Sequence, residues 1–110
     1  MVKDKFIELR FSEETSKLHS NDQRRNEFFI RLAEEHLNIA ILNFGYVDLK
    51  EVLHELGYSD EYTRRTIALN GDYVWCFHDR NIVKLETNPY AIELGVDTDI
   101  RIDVTDLKTI

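Results

Sequence analysis

The sequence predicts an α+β domain in which helices pack on an antiparallel sheet of about four strands, five if the amino-terminal segment joins. Three observations carry this reading. Apolar residues recur at three- and four-residue spacing from Asn26 to Phe44. Two shorter stretches, 48–57 and 59–69, each begin with a cap residue. From Tyr73 onward the period drops to two, the repeat of a strand.

Lys5 to Phe11 alternates, with Ile7, Leu9 and Phe11 on one side and Phe6, Glu8 and Arg10 on the other. That is a strand pattern, with an amino-terminal helix left open as the alternative. Ser12-Glu13-Glu14 and Ser20-Asn21-Asp22 both read as helix starts, because a short polar side chain can accept from the first free N–H groups. In the long helix Phe29, Leu32, Ala33, His36, Leu37, Ala40, Ile41 and Phe44 form one stripe. Ile30, Ile39 and Leu42 add apolar surface beside it, so its carboxyl-terminal half is expected to be buried on more than one side. Gly45 is expected to end it.

Asp48 caps a second predicted helix with Leu49, Val52, Leu53 and Leu56 inward and Gly57 stopping it. Ser59 caps a third, with Asp60 and Glu61 in its first turn and Ile67 and Leu69 inward. Asn70-Gly71-Asp72 is a turn. Tyr73 to His78 is apolar on both faces, as a central strand requires. Asp79-Arg80-Asn81 turns the chain, and strands are expected over 81–86, where Pro89 limits extension, and over 90–96. Thr98, Ile100, Ile102 and Val104 then point one way and Asp97, Asp99, Arg101 and Asp103 the other. This reads as an outer strand with one wet, charged face that guards an edge.

Composition sets the function classes. The 110 residues fit one domain, residues 1–110, with 43% hydrophobic and 32% charged side chains, which suits a folded soluble chain rather than a disordered one. The single cysteine, Cys76, excludes an internal disulfide and a four-cysteine zinc ribbon. The longest aliphatic run, Ile39-Ala40-Ile41-Leu42, is far below the ~18 residues of a membrane span. Met1-Val2-Lys3-Asp4-Lys5-Phe6 has no apolar core of a secretory signal, so a cytoplasmic protein with no membrane role is expected. The net charge of −7 opposes wholesale phosphate binding. It is evenly spread: residues 1–55 carry 8 basic and 11 acidic side chains, residues 56–110 carry 6 and 10.

Three constellations bear on chemistry. Leu49 to Ile67 resembles a helix-turn-helix, and two following strands would make it a winged helix with Tyr62, Arg64 and Arg65 at the groove. Leu53 and Thr63 depart from the small and aliphatic residues such a unit prefers, and a plain helical hairpin is the simpler reading. Asp97-Thr98-Asp99-Ile100-Arg101-Ile102-Asp103 invites a calcium loop. Arg101 stands at its fifth position and Ile102 at its sixth, where an oxygen ligand and a glycine belong, so a solvated strand face is the better reading. Cys76 and His78 would share a strand face, but no oxyanion loop or third group accompanies them, and a small core cysteine is the default. The acids of Glu13-Glu14 and Glu34-Glu35 diverge by about 100° on a helix and form no acid–base pair. No cofactor and no metal is expected.

Gly45-Tyr46-Val47-Asp48-Leu49, Val52-Leu53, Leu56-Gly57, Ile92-Glu93-Leu94 and Asp97-Thr98-Asp99-Ile100 together resemble small acidic proteins carried by phages and prophages. The loop after Gly57 is longer and richer in Gly and Trp in those proteins than 59–69 is here. The resemblance implies an accessory product that acts by binding, and no catalytic residue. The leading expectation is therefore a non-enzymatic interaction module, an accessory or inhibitor protein or a homo-oligomer. It would present Asp97, Asp99, Asp103 and Asp106 to a basic protein partner. The alternative is a winged-helix-like DNA-binding regulator that uses the helix over 60–68 with Tyr62, Arg64 and Arg65.

Overall fold

The computed structural model describes residues 5–109. Met1–Asp4, read above for the absence of a signal, and Ile110 lie outside the described residues. The chain is α+β, as the periodicity predicts. Its strands form two antiparallel sheets of three rather than one sheet of four or five.

The first strand, β1 (Phe6–Arg10), is the alternating amino-terminal segment, with Ile7 and Leu9 buried. Phe11, also buried, follows it. The next segment does not open a helix at Ser12. The Thr15 and Ser16 N–H groups both donate to the Ser12 carbonyl, at 3.1 and 3.0 Å, closing one tight turn. Ser16 then pairs across to Tyr58 and donates its hydroxyl to the Leu56 carbonyl at 2.7 Å, which commits this backbone to another part of the fold.

Helix α1 (Gln23–Phe44) starts at Asp22, whose carboxylate accepts from the Arg24 N–H, and stops at left-handed Gly45. Its buried face is Asn26, Ile30, Ala33, Leu37 and Ile41. The expected burial of the carboxyl-terminal half on several sides is overturned: Ile39, Leu42 and Phe44 are exposed, as are Leu32 and His36. The sheets and α2 cover one side of the helix, and a 3.6-residue period brings only residues spaced like 30, 33, 37 and 41 to that side.

Strand β2 (Tyr46–Asp48) leads directly into α2 (Leu49–Glu55), capped by the Asp48 side chain, with Leu49, Val52 and Leu53 buried. After Leu56 and left-handed Gly57 comes α3 (Asp60–Asn70), capped by Ser59. Its buried residues are Thr63 and Thr66, with Tyr62 and Ile67 half-buried. Leu69, expected inward, is 85% exposed because it sits two residues past Ile67, on the far side of the helix.

Strand β3 (Tyr73–Cys76) is central, between β2 and β6 (Lys108–Thr109). Strand β4 is only Leu85–Glu86, shorter than the expected 81–86. The expected strand over 90–96 is instead one helical turn, α4 (Ala91–Leu94), ended by left-handed Gly95. Strand β5 (Asp99–Asp103) has the alternation expected of it, with Ile100 and Ile102 buried and Asp99, Arg101 and Asp103 exposed. It is not an outer strand, however. It lies between β1, which pairs along its whole length, and β4, which pairs with it at Arg101 and Ile102.

One core joins the layers. It contains Ile7, Leu9 and Phe11, the inner face of α1, all the apolar residues of α2, Trp75, and the inner face of β5 through Val104.

Candidate functional site

The acidic residues singled out from sequence are not gathered into one cluster, and two of them, Asp97 and Asp103, are held by hydrogen bonds. Asp97 accepts from His19 Nε2 at 2.7 Å and from Gln23 Nε2 at 3.2 Å, which ties the approach to β5 to the start of α1. The His19 side chain is 4% exposed and Asp97 47%, so a buried ring reaches out to a carboxylate at the surface. Asp99 and Asp103 share the wet face of β5, but Arg101 stands between them. Across the ladder Arg10 is opposite Asp99, and Glu8 and Glu86 flank Arg101. The Arg101 guanidinium also covers the Phe6 ring at 3.6 Å. Asp106 lies in the turn beyond the strand. The face is mixed in sign, with Arg10 and Arg101 set among four carboxylates.

Hydrogen bonds hold two of these carboxyls below the usual range. For Asp97 the cause is foremost the bond from His19. For Asp103 it is foremost the bonds from Thr105. A carboxyl that is more acidic in the folded chain adds stability above its unfolded pKa, and that stability is lost as pH falls through the folded value. Asp97→Asn is therefore expected to flatten the acid limb of stability below about pH 4. Denaturant midpoints of both proteins, taken from neutral to strongly acid pH, check this. Parallel pH profiles would rule out the Asp97 contribution.

The residues proposed for DNA divide as well. Tyr62 stacks on Tyr58, with ring centroids 4.5 Å apart, and its hydroxyl accepts from the Arg10 N–H. Arg65 is paired with Glu61, while Arg64 is exposed. Helices α2 and α3 do form a hairpin, but the strand after them, β3, pairs with β2 and β6, and β4 belongs to the other sheet. Among the described residues no wing stands beside α3. Cys76 and His78 do not share a strand face either, because β3 ends at Cys76 and His78 lies in the following turn. Among the described residues no cluster of His, Cys, Asp and Glu is arranged to hold a metal ion. No helix among them is long and apolar enough to cross a membrane.

The surface that stands out is apolar. Leaving β3, the chain turns tightly: the Asp79 and Asn81 N–H groups both donate to the Cys76 carbonyl at 3.2 Å. Arg80 at the tip has φ of +56°, a left-handed conformation that non-glycine residues seldom adopt. The segment that follows runs along α1 without becoming a strand, because helix side chains take the place of a neighbouring strand. Asn38 accepts from the Val83 N–H at 2.7 Å and donates to the Val83 carbonyl at 3.0 Å. Glu34 accepts from the Leu85 N–H at 2.7 Å, and Arg31 donates to the Leu85 carbonyl. These bonds pin Val83 and the start of β4 against α1.

Between this strap and α1 lies an open groove of about 550 Å³. Asn38, Ile41 and Leu42 form its helix wall, and Phe77 and Ile82 form the opposite one, with His78 and Arg80 at the rim. Leu42, Phe77 and Ile82 are 68%, 52% and 59% exposed, so they stand open to solvent. Phe44 and Tyr46, also exposed, flank Gly45, whose carbonyl accepts from the Phe77 N–H at 2.9 Å. Sequence reasoning placed Leu42 and Phe44 in the core and Phe77 in a strand. Their mutual exposure follows from where β3 stops, which periodicity does not show. No family model, curated protein or solved structure matches the chain.

Proposed function

We propose that this chain is a non-enzymatic protein-interaction module that captures an apolar segment of a protein partner in the groove between α1 and the 77–84 strap. One observation carries the reading: Leu42, Phe77 and Ile82 converge on one concave site while largely exposed. Large apolar side chains gathered in this way on a soluble domain mark an interaction surface, because leaving them wet forgoes about 25 cal/mol for each Å² that a partner would cover. His78, Arg80 and Asn81, which also line it, supply the few polar groups that orient a bound segment. An accessory role of the kind the phage-protein resemblance implies is a binding role and fits this site.

Capture by a basic partner through the acidic face has less support, since Arg10 and Arg101 already stand among its carboxylates. The DNA reading loses its wing and keeps Arg64 as its one unpaired candidate.

The test compares three proteins. Phe77→Ser with Ile82→Ser is expected to reduce the fluorescence of an apolar dye and to abolish retention of the partner captured by the wild type. Asp99→Lys with Asp103→Lys is expected to retain that partner. The reverse pattern would return the function to the acidic face. A band shift that weakens steeply with salt and is lost in Arg64→Glu would move it to nucleic acid.

A further inference from the structure

The groove between α1 and the 77–84 strap has apolar walls and a rim of the opposite sign to the rest of the chain. Arg80 and His78 line it, and no Asp or Glu is among its lining residues. On a chain of net charge −7 this is a local reversal. Asp79 lies in the turn between the two, fully open to solvent, and forms no ion pair with either. Arg25, Arg31 and Arg65 each have a carboxylate partner in the chain. Among the described residues the Arg80 guanidinium has none, and only its backbone N–H is engaged, with the Phe77 carbonyl at 3.0 Å.

The strap offers little to a partner's main chain. The Phe77, Asp79, Arg80 and Asn81 N–H groups all donate within the chain, and both polar backbone groups of Val83 are bonded to Asn38. A segment in the groove is therefore held through its side chains rather than added as a strand. We infer that the captured segment carries a carboxylate beside its apolar anchors, and that Arg80, with His78, receives that carboxylate. The inference rests on the groove reading and adds the chemistry of the occupant. A guanidinium presents a planar fork of N–H donors that matches a carboxylate at two points. Leu42, Phe77 and Ile82 would cover the apolar anchors, and the water they expel strengthens the charge contact at the rim.

The probes are phenylnaphthylamine and its sulfonate, the same rings without and with an anion. The wild type is expected to bind the sulfonate about threefold to fivefold more tightly. Arg80→Asn is expected to lose that preference with an unchanged denaturation midpoint, because asparagine tolerates the left-handed turn at φ +56°. Phe77→Ser with Ile82→Ser should weaken both dyes. A capped peptide of two leucines and a phenylalanine around one glutamate is expected to displace the sulfonate at lower concentration than the same peptide with lysine. Equal binding of the two dyes by the wild type would overturn the inference and leave the groove reading standing. So would a sulfonate preference that survives Arg80→Asn, or a lysine peptide that displaces as readily as the glutamate one. Displacement by decanoate and by neither peptide would make the occupant a small apolar acid, against the inference and the groove reading alike. Failure of the wild type to bind either dye, or binding unchanged in the serine variant, would overturn the groove reading and this inference with it.

Discussion

Trp75→Ala is expected to destabilise the chain by about 3–5 kcal/mol, the largest loss from any single truncation. Trp75 is the largest fully buried side chain and sits mid-way along the central strand β3, opposite Val47 of β2. Truncation leaves a void that the surrounding α2 and sheet residues can fill only by shifting backbone. For a chain of this length the whole stability is roughly 5–15 kcal/mol, so the variant sits at or near the folding threshold. Trp75→Phe separates two contributions. The indole N–H is buried without a hydrogen-bond partner among the described residues. An unpaired buried donor costs about 1–3 kcal/mol, and phenylalanine removes that cost while it gives up part of the volume. The phenylalanine variant is therefore expected to lose about 1 kcal/mol or less. Denaturant unfolding at constant m-value measures both. A phenylalanine variant as unstable as the alanine one would mean that the N–H carries no penalty.

Gly57→Ala is expected to cost about 2–4 kcal/mol, from two causes that act together. Gly57 turns the chain between α2 and α3 at φ +85°, where a Cβ is disfavoured. A Cβ there would also lie 2.8 Å from Leu18 Cγ and 2.8 Å from Ser16 Oγ. Ser16 cannot withdraw freely, because its hydroxyl donates to the Leu56 carbonyl and its backbone is bridged to Tyr58. Gly45→Ala makes the control. Gly45 has the same handedness, at φ +90°, but open space around its Cβ position. It should lose only the conformational part, about 1–2 kcal/mol. Equal losses at the two glycines would show that the contact with Ser16 and Leu18 carries no cost.

Turns and caps were the most legible part of the fold. Asp48 and Ser59 each cap the helix assigned to them, Gly45 and Gly57 stop the helices they were expected to stop, and the start read at Ser20-Asn21-Asp22 is real but capped by its acid, Asp22, while the start read at Ser12 makes only a turn. These are local decisions, made by a side-chain oxygen or a missing Cβ within a few residues of the backbone it serves. Strand β5 was legible for a related reason: a two-residue alternation sorts side chains to opposite faces wherever the strand lies. Its position in the sheet was not legible, because charged residues on one face mark contact with water and do not tell an edge strand from a central one.

The candidate site lay beyond what periodicity can reach. The sequence reading merged the buried and exposed apolar residues of α1 into one broad buried surface, since an apolar residue looks the same whether a sheet, a partner or solvent lies against it. The 81–84 segment has strand-like residues, yet within it the Val83 N–H and carbonyl are bonded to the Asn38 side chain, and the ladder to β5 begins only at Leu85. Helix starts, helix stops and the sidedness of β5 were thus set by the amino-acid order, through interactions a few residues long. Tertiary contacts decided the division into two sheets, the central place of β5, the arginines set among its carboxylates and the exposed end of α1. Each of those depends on which distant segment satisfies a hydrogen bond or covers an apolar face, and contacts between residues far apart in the chain leave no local period to read.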